Sequence, residues 1–178
     1  FALALFFFYV PTASAQKPVP QFSGFHKNIY VEFFGSNLLM GVNYDQRLHR
    51  GQMDGIGFRA GIGGFSAQGS DQGTDIGAGI VTFPLEFNHV LGKRRSSLIT
   101  GVGLLPIYAT ASAKGPLTND QVIIAEGFGL VGGFLNIGYR AQPLRNGVVF
   151  QFQWNPMILR GSGFNPGWFG LGIGVGFK

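Results

Sequence analysis

The feature that most constrains the fold of this chain is its last stretch, Trp168–Lys178. Apolar residues alternate with glycine there: Phe169, Leu171, Ile173, Val175 and Phe177 are separated by Gly170, Gly172, Gly174 and Gly176. Because successive side chains of a strand point to opposite faces, one face of this strand is apolar and the other is bare. About 9–11 tilted residues of this kind cross a bilayer. The pattern therefore predicts the closing strand of a transmembrane β-barrel.

The composition favours short strands over a soluble helical fold. Only 12% of the 178 residues are charged, whereas 30 are glycine and 19 are phenylalanine, which suits strands flanked by aromatic residues. The length predicts one domain, and without cysteine there is no disulfide framework. The net charge of +5 would suit nucleic acid or an anionic membrane. No cluster of Lys and Arg is interleaved with stacking aromatic residues, so we do not expect nucleic-acid binding.

Residues 1–15 predict a secretory signal peptide. An apolar run, Phe1–Val10, is followed by the small-residue motif Ala13–Ala15, so we expect cleavage before Gln16 and export through the inner membrane. The alternative, a membrane-spanning helix, needs about 20 apolar residues, and this run is too short. The start has no initiator Met and no basic segment, so we expect the N-terminus to be incomplete. Residues 16–27 are expected to form a periplasmic leader.

Eight strand-like segments follow the leader. The clearest is the second, where Met40, Val42 and Tyr44 alternate with polar residues or glycine, as in a strand with lipid on one side and a polar lumen on the other. The fifth is apolar on both faces, and its sequence leaves open which face meets lipid. The predicted strands cover about 28–35, 39–48, 55–65, 79–90, 97–108, a sixth that begins after 122 and ends near 140, 148–155 and 168–178.

These segments predict an all-β fold, an eight-stranded antiparallel up-and-down transmembrane β-barrel over residues 28–178. An even number of strands, with short turns alternating with longer connections, is typical of the bacterial outer membrane. The longer, outer connections are predicted over 66–76, 109–121 and 160–167. Since proline cannot donate to a ladder, Pro84, Pro106 and Pro156 are expected at strand ends or bulges, and their similar heights predict a common upper rim.

The same alternation predicts a charge network inside the barrel. An eight-stranded barrel is just wide enough for side chains to fill it, and buried charges must be paired. We therefore expect a polar plug of Arg–carboxylate pairs and no wide pore, with a path for ions or solutes as the alternative. Glycines at other inward positions leave room for long Arg side chains. The predicted network consists of Glu32, Asp45, Arg47, Arg59, Glu86 and Arg140.

Several stretches of the chain give it a resemblance to a known group. They are Lys27–Glu32, Gly41–Asp45, Phe83–Asn88, Ile137–Arg140 and the terminal strand. The chain resembles the small eight-stranded outer-membrane β-barrel proteins common in Bacteroidetes, and its architecture is similar to that of OmpA, OmpX and OmpW barrels, without a diagnostic motif for any of them. The resemblance implies outer-membrane lipids and the barrel-assembly machinery as partners, the latter through the C-terminal strand, and no particular activity. Such barrels usually end on an aromatic residue, whereas Lys178 follows here, so a further C-terminal residue is expected.

The sequence does not predict an enzyme, a metal or a cofactor. His26, His49 and His89 are expected near the periplasmic rim, and none has a second ligand at metal-binding spacing. A deacylase would need a Ser activated by a His and a carboxylate. Glu86 and His89 are close in sequence, but their odd spacing puts them on opposite faces. The repeated Gly-x-Gly runs are not followed by a helix, as a nucleotide-binding loop requires.

We therefore expect a structural or surface-interaction role through the outer loops, with an unidentified extracellular ligand. A narrow conduit for small, apolar solutes is the first alternative, indicated by the prolines and the doubly apolar fifth strand. A lipid A-modifying enzyme is the second. At the level of the fold, the rival is a soluble lipocalin-like barrel, which predicts an apolar interior and a polar exterior.

Overall fold

The computed structural model describes residues 24–71, 74–92, 95–114, 122–142 and 147–178. The predicted signal peptide, and the predicted leader as far as residue 23, lie outside these residues. Within these residues the chain forms one antiparallel sheet of eleven strands, with a single 3-10 turn at Gly35–Asn37. The strands are β1 Lys27–Phe34, β2 Met40–Arg47, β3 Gly55–Asp71, β4 Thr74–Thr82, β5 Leu85–Leu91, β6 Ser96–Lys114, β7 Val122–Ala141, β8 Val148–Trp154, β9 Met157–Leu159, β10 Gly163–Asn165 and β11 Phe169–Phe177.

Eight of these strands close into a ring. The first strand pairs with the last, from Lys27 opposite Phe177 to Phe34 opposite Gly170. Going round the ring, the order is β1, β2, β3, β4, β6, β7, β8 and β11. The predicted all-β, antiparallel class is therefore confirmed.

Proline interrupts the fourth predicted strand and follows the end of the seventh. β4 and β5 keep one register between β3 and β6, and they are separated by Phe83 and Pro84. β8 and β9 are likewise separated at Pro156, and a register shift lies between Leu105 and Pro106. The expectation that these prolines fall at breaks in the ladders is confirmed, because proline has no N–H to donate.

The expectation that the prolines mark the upper end of the strands is wrong. β3, β4, β6 and β7 continue past them, with Ala67 paired to Ala78 and Ala111 paired to Ala125. The segments 66–76 and 109–121 were expected to be loops, but their described residues lie mostly in strands. The third, 160–167, contains β10, which pairs with β9. Segments rich in small residues with hydroxyl or methyl side chains have a composition like that of loops. Pairing with the neighbouring strands keeps these segments extended.

The continuing strands form a four-stranded extension, here called the projecting sheet, made of 65–71, 74–81, 107–114 and 122–130. Its outermost strands rise above their other neighbours in the ring. β2 pairs with β3 only as far as Met40 opposite Gly64, and β9 pairs with β7 only as far as Leu159 opposite Gly132. The projecting sheet therefore stands beyond one mouth of the ring, called the upper mouth below.

Within the ring, side chains on the two faces of each strand differ sharply in exposure. Phe150 and Phe152 of β8 are about half exposed, whereas Gln151 and Gln153, which alternate with them, are buried. The structure also shows which face of the fifth predicted strand points outward. Leu98, Val102 and Leu104 of β6 are exposed, while Ile99 and Leu105 are buried. Among the described residues, no helix is long and apolar enough to cross a membrane.

The polarity of the two faces reverses in the projecting sheet. The reversal occurs just above one cross-strand row, in which Gly64 pairs with Val81 and Val81 pairs with Tyr108. Above this row, the face that continues the outside of the ring carries Ser66, Gln68, Ser70, Asp75, Thr110, Ser112, Lys114 and Glu126. The face that continues the inside carries Phe65, Ala67, Ile76, Ala78, Ile80, Ala109, Ala111, Ala113 and Ala125.

Candidate functional site in the interior of the ring

One cluster of charges inside the ring is centred on Asp45. The period of two along β2 puts Asp45 and Arg47 on the same inward face, and their side chains form a fully buried ion pair. Arg140 of β7 reaches the other carboxylate oxygen of Asp45 at 2.5 Å. Arg47 also donates to Oδ1 of Asn88 at 2.6 Å. This lower cluster thus holds two guanidinium groups on one carboxylate.

A second cluster, nearer the upper mouth, is centred on Arg59 of β3. Its Nη2 lies 2.5 Å from a carboxylate oxygen of Glu86, and its Nη1 lies 3.4 Å from Glu32. The same Nη1 donates to the Tyr30 hydroxyl at 3.0 Å and to Oε1 of Gln153 at 2.8 Å. This upper cluster has the opposite composition, one guanidinium held between two carboxylates.

The carboxylate of Glu32 is held by the turn that follows its own strand. The backbone N–H of Ser36 donates to Glu32 at 3.0 Å, and the amides of Asn37 and Asn43 donate at 3.0 and 2.8 Å. To bring Ser36 and Asn37 inside, the turn places Phe34 and Leu38 at φ 60° and 68°, a region that L-residues enter only when the surrounding structure imposes it. Tyr30, Ser36 and Asn37 were not among the predicted site residues; an inward position opposite the glycines of β11 could have indicated Tyr30.

All six charged residues of the predicted network lie inside the ring, each no more than 4% exposed. The structure brings them together as two groups of three, and each of the six has a partner of opposite charge within 3.4 Å. Their formal charges balance, since there are three Arg and three carboxylates. The groups are complementary in sign, because the lower carries one net positive charge and the upper one net negative charge.

The interior is not polar throughout, which corrects the expectation of a purely polar plug. Leu105, Phe134 and Met157 form a buried apolar cluster towards the upper mouth, against which Ile107 and Trp168 also pack. The Arg59 guanidinium lies 5.7 Å from the centre of the Phe134 ring, within the range of a cation–π contact. The upper charge cluster is therefore covered by the apolar one.

Inward glycines leave space for these side chains. A Cβ on Gly57 would overlap the Arg47 guanidinium, and a Cβ on Gly101 would come within 2.5 Å of Glu86. On β11, a Cβ on Gly172 would lie 3.0 Å from the Tyr30 ring. The first two distances are shorter than real Cβ contacts, and the third is tighter than most of them. The alternation of glycine with large residues is thus a packing requirement of the narrow interior.

The three histidines lie apart from these clusters. His26 is buried just before β1, His49 follows β2 and is exposed, and His89 is exposed on the outward face of β5. Burial, together with the nearby charges of Lys27 and Arg50, lowers the pKa of His26. Glu86 points inward, so it lies on the opposite face of β5 from His89. Within the described part of the chain, no group of three or more acidic or histidine side chains is placed to hold a metal ion.

Chemically, this arrangement binds its own charged groups to one another. Every cationic group of the network contacts a carboxylate, and the apolar cluster covers one end.

Comparison of the chain with protein-family models, with curated proteins and with solved structures finds no match. The function must therefore be argued from the arrangement of its residues.

Proposed function

We propose that this chain is an outer-membrane β-barrel with a lumen closed by side chains, and that it has a structural or surface-interaction role through the part that projects from the membrane. The observation that carries the proposal is the inverted polarity of the ring. Ile173 is 48% exposed and Phe152 is 50% exposed, whereas Arg59 is 1% exposed and Asp45 is fully buried. Soluble proteins rarely expose contiguous apolar patches larger than a few hundred Å². Hydrocarbon around the ring would remove the free-energy cost of exposing these apolar side chains to water.

The same observation argues against a soluble lipocalin-like barrel. That fold would bury Val42, Phe152 and Leu171 around its axis and expose Arg59 and Glu86, but the exposures are the reverse. In a bilayer all backbone polar groups of a spanning segment must be paired, and a closed ring of strands is one of two ways to achieve this. The pairing of β1 with β11 supplies the closure.

The apolar outer surface has boundaries at heights that suit a membrane. At the lower end, Lys27 lies 5.9 Å from the centre of the Phe177 ring, and the Tyr139 hydroxyl is 2.6 Å from Ser96 Oγ. Aromatic side chains, Tyr among them, are typical of the two interfaces of a membrane barrel. At the upper end the boundary is the polarity reversal of the projecting sheet. The nine residues of β11 match the number of tilted residues that spans a bilayer, about 9–11.

The packing of the interior favours a closed barrel over a conduit. A solute would have to separate the Asp45–Arg140 and Arg59–Glu86 pairs, and it would also have to displace Phe134 and Met157. Separating buried ion pairs leaves uncompensated charges and costs several kcal/mol, about 3–5 for each. We therefore assign the network a structural role.

The role outside the membrane is proposed for the projecting sheet. The face that continues the outside of the ring carries polar side chains such as Gln68, Asp75 and Lys114, which are suited to contacts in water. The resemblance of the sequence to outer-membrane barrels and the apolar run at Phe1–Val10 agree with export to that membrane. The proposed partners are outer-membrane lipids and the barrel-assembly machinery, with β11 as the strand that the machinery reads.

Electrophoresis of unboiled and boiled outer-membrane fractions tests the proposal. A folded barrel is expected to migrate anomalously until it is heated, and purified protein in planar bilayers is expected to show no stable conductance of porin size. Identical migration before and after heating would reject the membrane barrel. Stable large conductance would reject only the closed lumen and would favour the conduit.

A further inference from the structure

A groove on the outer surface follows β4 from the ring into the projecting sheet. Its lower part has a volume of about 640 Å³, with apolar side chains from β1, β2 and β3 at one end and Ser66, Gly79 and Thr110 at the other. Val31, Val42 and Ile62 form one cross-strand row there. All three belong to the apolar outer surface that is proposed to contact hydrocarbon.

The chemistry of the lining changes along the groove. Above the apolar row, Ser66 and Thr110 flank Gly79, and in the next row Gln68 and Ser112 flank Gly77. A second cavity, of about 410 Å³, continues upward between Gln68, Ser70, Asp75 and Lys114. The order is therefore apolar first, then hydroxyl and amide groups, and finally a carboxylate opposite an ammonium group.

The floor of the polar part is formed by backbone. A Cβ on Gly79 would lie 3.5 Å from Thr110 Oγ1, and a Cβ on Gly77 would lie 3.0 Å from Ser112 Oγ. A side chain at either position would therefore fill the groove between its two walls. Asp75 and Lys114 face each other at the top, and the ion pairs found among the described residues do not include one between them.

We propose that this groove binds a glycolipid, with an acyl chain against Val31, Val42 and Ile62 and a headgroup of about two sugars along Gly79 and Gly77. The proposal rests on the membrane location proposed above. From Ser66 to Ser70 the polar wall rises four residues, or about 13 Å along the strand. Sugar hydroxyls both donate and accept hydrogen bonds, as the hydroxyl and amide groups of this wall do.

A phospholipid fits the groove less well because its charged groups follow the acyl chains directly. Here the uncharged polar rows of Gly79 and Gly77 come first, and Asp75 and Lys114 stand above them. A headgroup that presents hydroxyls over this length matches the order of the lining. A short zwitterionic headgroup would leave the charged end of the groove unfilled.

The test uses the full chain in phosphatidylcholine nanodiscs that contain equal small fractions of digalactosyl diacylglycerol and phosphatidylethanolamine. Native mass spectrometry counts the lipids that remain bound after release from the disc. The galactolipid is expected to remain bound about tenfold more often than phosphatidylethanolamine, the ratio that corresponds to about 1.4 kcal/mol. Equal retention of the two lipids would overturn the proposal.

Three variants locate the site. Gly79→Leu fills the groove and is expected to lower galactolipid retention about tenfold. Gly127→Leu is the matched control, since Gly127 lies on the other face of the projecting sheet and a Cβ there meets nothing within 4 Å. Thr110→Val keeps the shape of the wall and removes one hydroxyl, so retention should fall about fivefold. If Gly79→Leu does not fold, Thr110→Val alone decides: wild-type retention in that variant overturns the proposal.

Heat-dependent migration of the same samples separates this proposal from the one on which it rests. A chain that inserts and migrates anomalously, but retains the two lipids equally, rejects the groove as a glycolipid site and leaves the barrel in place. A chain that fails to insert rejects both.

Discussion

The guanidinium of Arg140 on β7 lies 2.5 Å from the carboxylate of Asp45 on β2, although 95 positions separate them in the chain. The two strands are not neighbours in the ring, so this contact crosses the interior. Asp45 also pairs with Arg47 beside it on the same strand. A single carboxylate therefore pairs with two buried guanidinium groups that come from different parts of the sheet.

The two partners of this contact are predicted to differ in their effect on stability. Asp45→Asn leaves two buried guanidinium groups without a carboxylate, and we expect the free energy of unfolding to fall by about 3–5 kcal/mol. Arg140→Met leaves the Asp45–Arg47 pair intact, so the loss should be clearly smaller. Urea unfolding of protein folded into phosphatidylcholine vesicles measures both. Equal losses in the two variants would show that Asp45 does not hold both groups.

The polarity reversal predicts that substitution by arginine destabilises the protein at one height of the outer surface and has little effect at another. Ile173→Arg introduces a charge between Phe150 and Val31, in the middle of the apolar surface. We expect it to lower the free energy of unfolding by about 2–4 kcal/mol in a bilayer. Ser66→Arg introduces the same charge on the projecting sheet and should change it little.

Unfolding of the two variants in vesicles, followed by the fluorescence of the two Trp residues, gives the comparison. Equal and small effects at both positions would contradict the membrane boundary. Equal and large effects would mean that the hydrocarbon region extends over the projecting sheet.

Inward glycines are predicted to be sensitive to a single methyl group. A Cβ on Gly103 would come within 2.6 Å of the Leu85 carbonyl oxygen and would also overlap the Phe134 ring. Because backbone is among the atoms that it meets, Gly103→Ala should destabilise the protein by about 1–3 kcal/mol. Gly127→Ala is the control, since a Cβ there meets nothing within 4 Å. Midpoints of urea unfolding measure both, and equal midpoints would contradict the close packing.

The faces of the strands could be predicted from the sequence because their period depends on no pairing partner. Once Met40, Val42 and Tyr44 are assigned to one face, Asp45 must lie on the other. The same argument gave the inward positions of Arg59 and Glu86. The grouping into two clusters depends on which strands face each other across the ring, and alternation along one strand carries no such information.

The upper half of the structure could not be predicted, for two physical reasons. From Ala109 to Ala113 the side chains are so small that little surface can be buried on either face, so extended structure there depends on the ladders with β4 and β7. The register shift at Pro106 leaves Val131 without an opposite residue, so the alternation along β7 from Phe134 to Arg140 cannot be continued into 122–130. The packing of Leu105, Phe134 and Met157 against one another depends on which strands face each other across the ring.

Stability is predicted to depend on pH through His26. Burial and the charges of Lys27 and Arg50 lower the pKa of this side chain in the folded protein. In the unfolded chain it titrates near its ordinary value of about 6.5. Below that pH the unfolded state binds a proton more readily than the folded state does, so the free energy of unfolding is highest above about pH 6.5 and falls as the pH decreases through that value.

Urea unfolding at a series of pH values from about 8 to about 5 measures this loss, in a range chosen around the ordinary histidine pKa. The difference between wild type and His26→Gln isolates the contribution of His26, because other groups titrate equally in both proteins. Arg50→Gln removes one of the charges that lower the pKa, so its pH dependence should lie between those of wild type and His26→Gln. If wild type and His26→Gln lose stability in parallel as the pH falls, the proton is bound equally well in both states and the environment described for His26 is wrong.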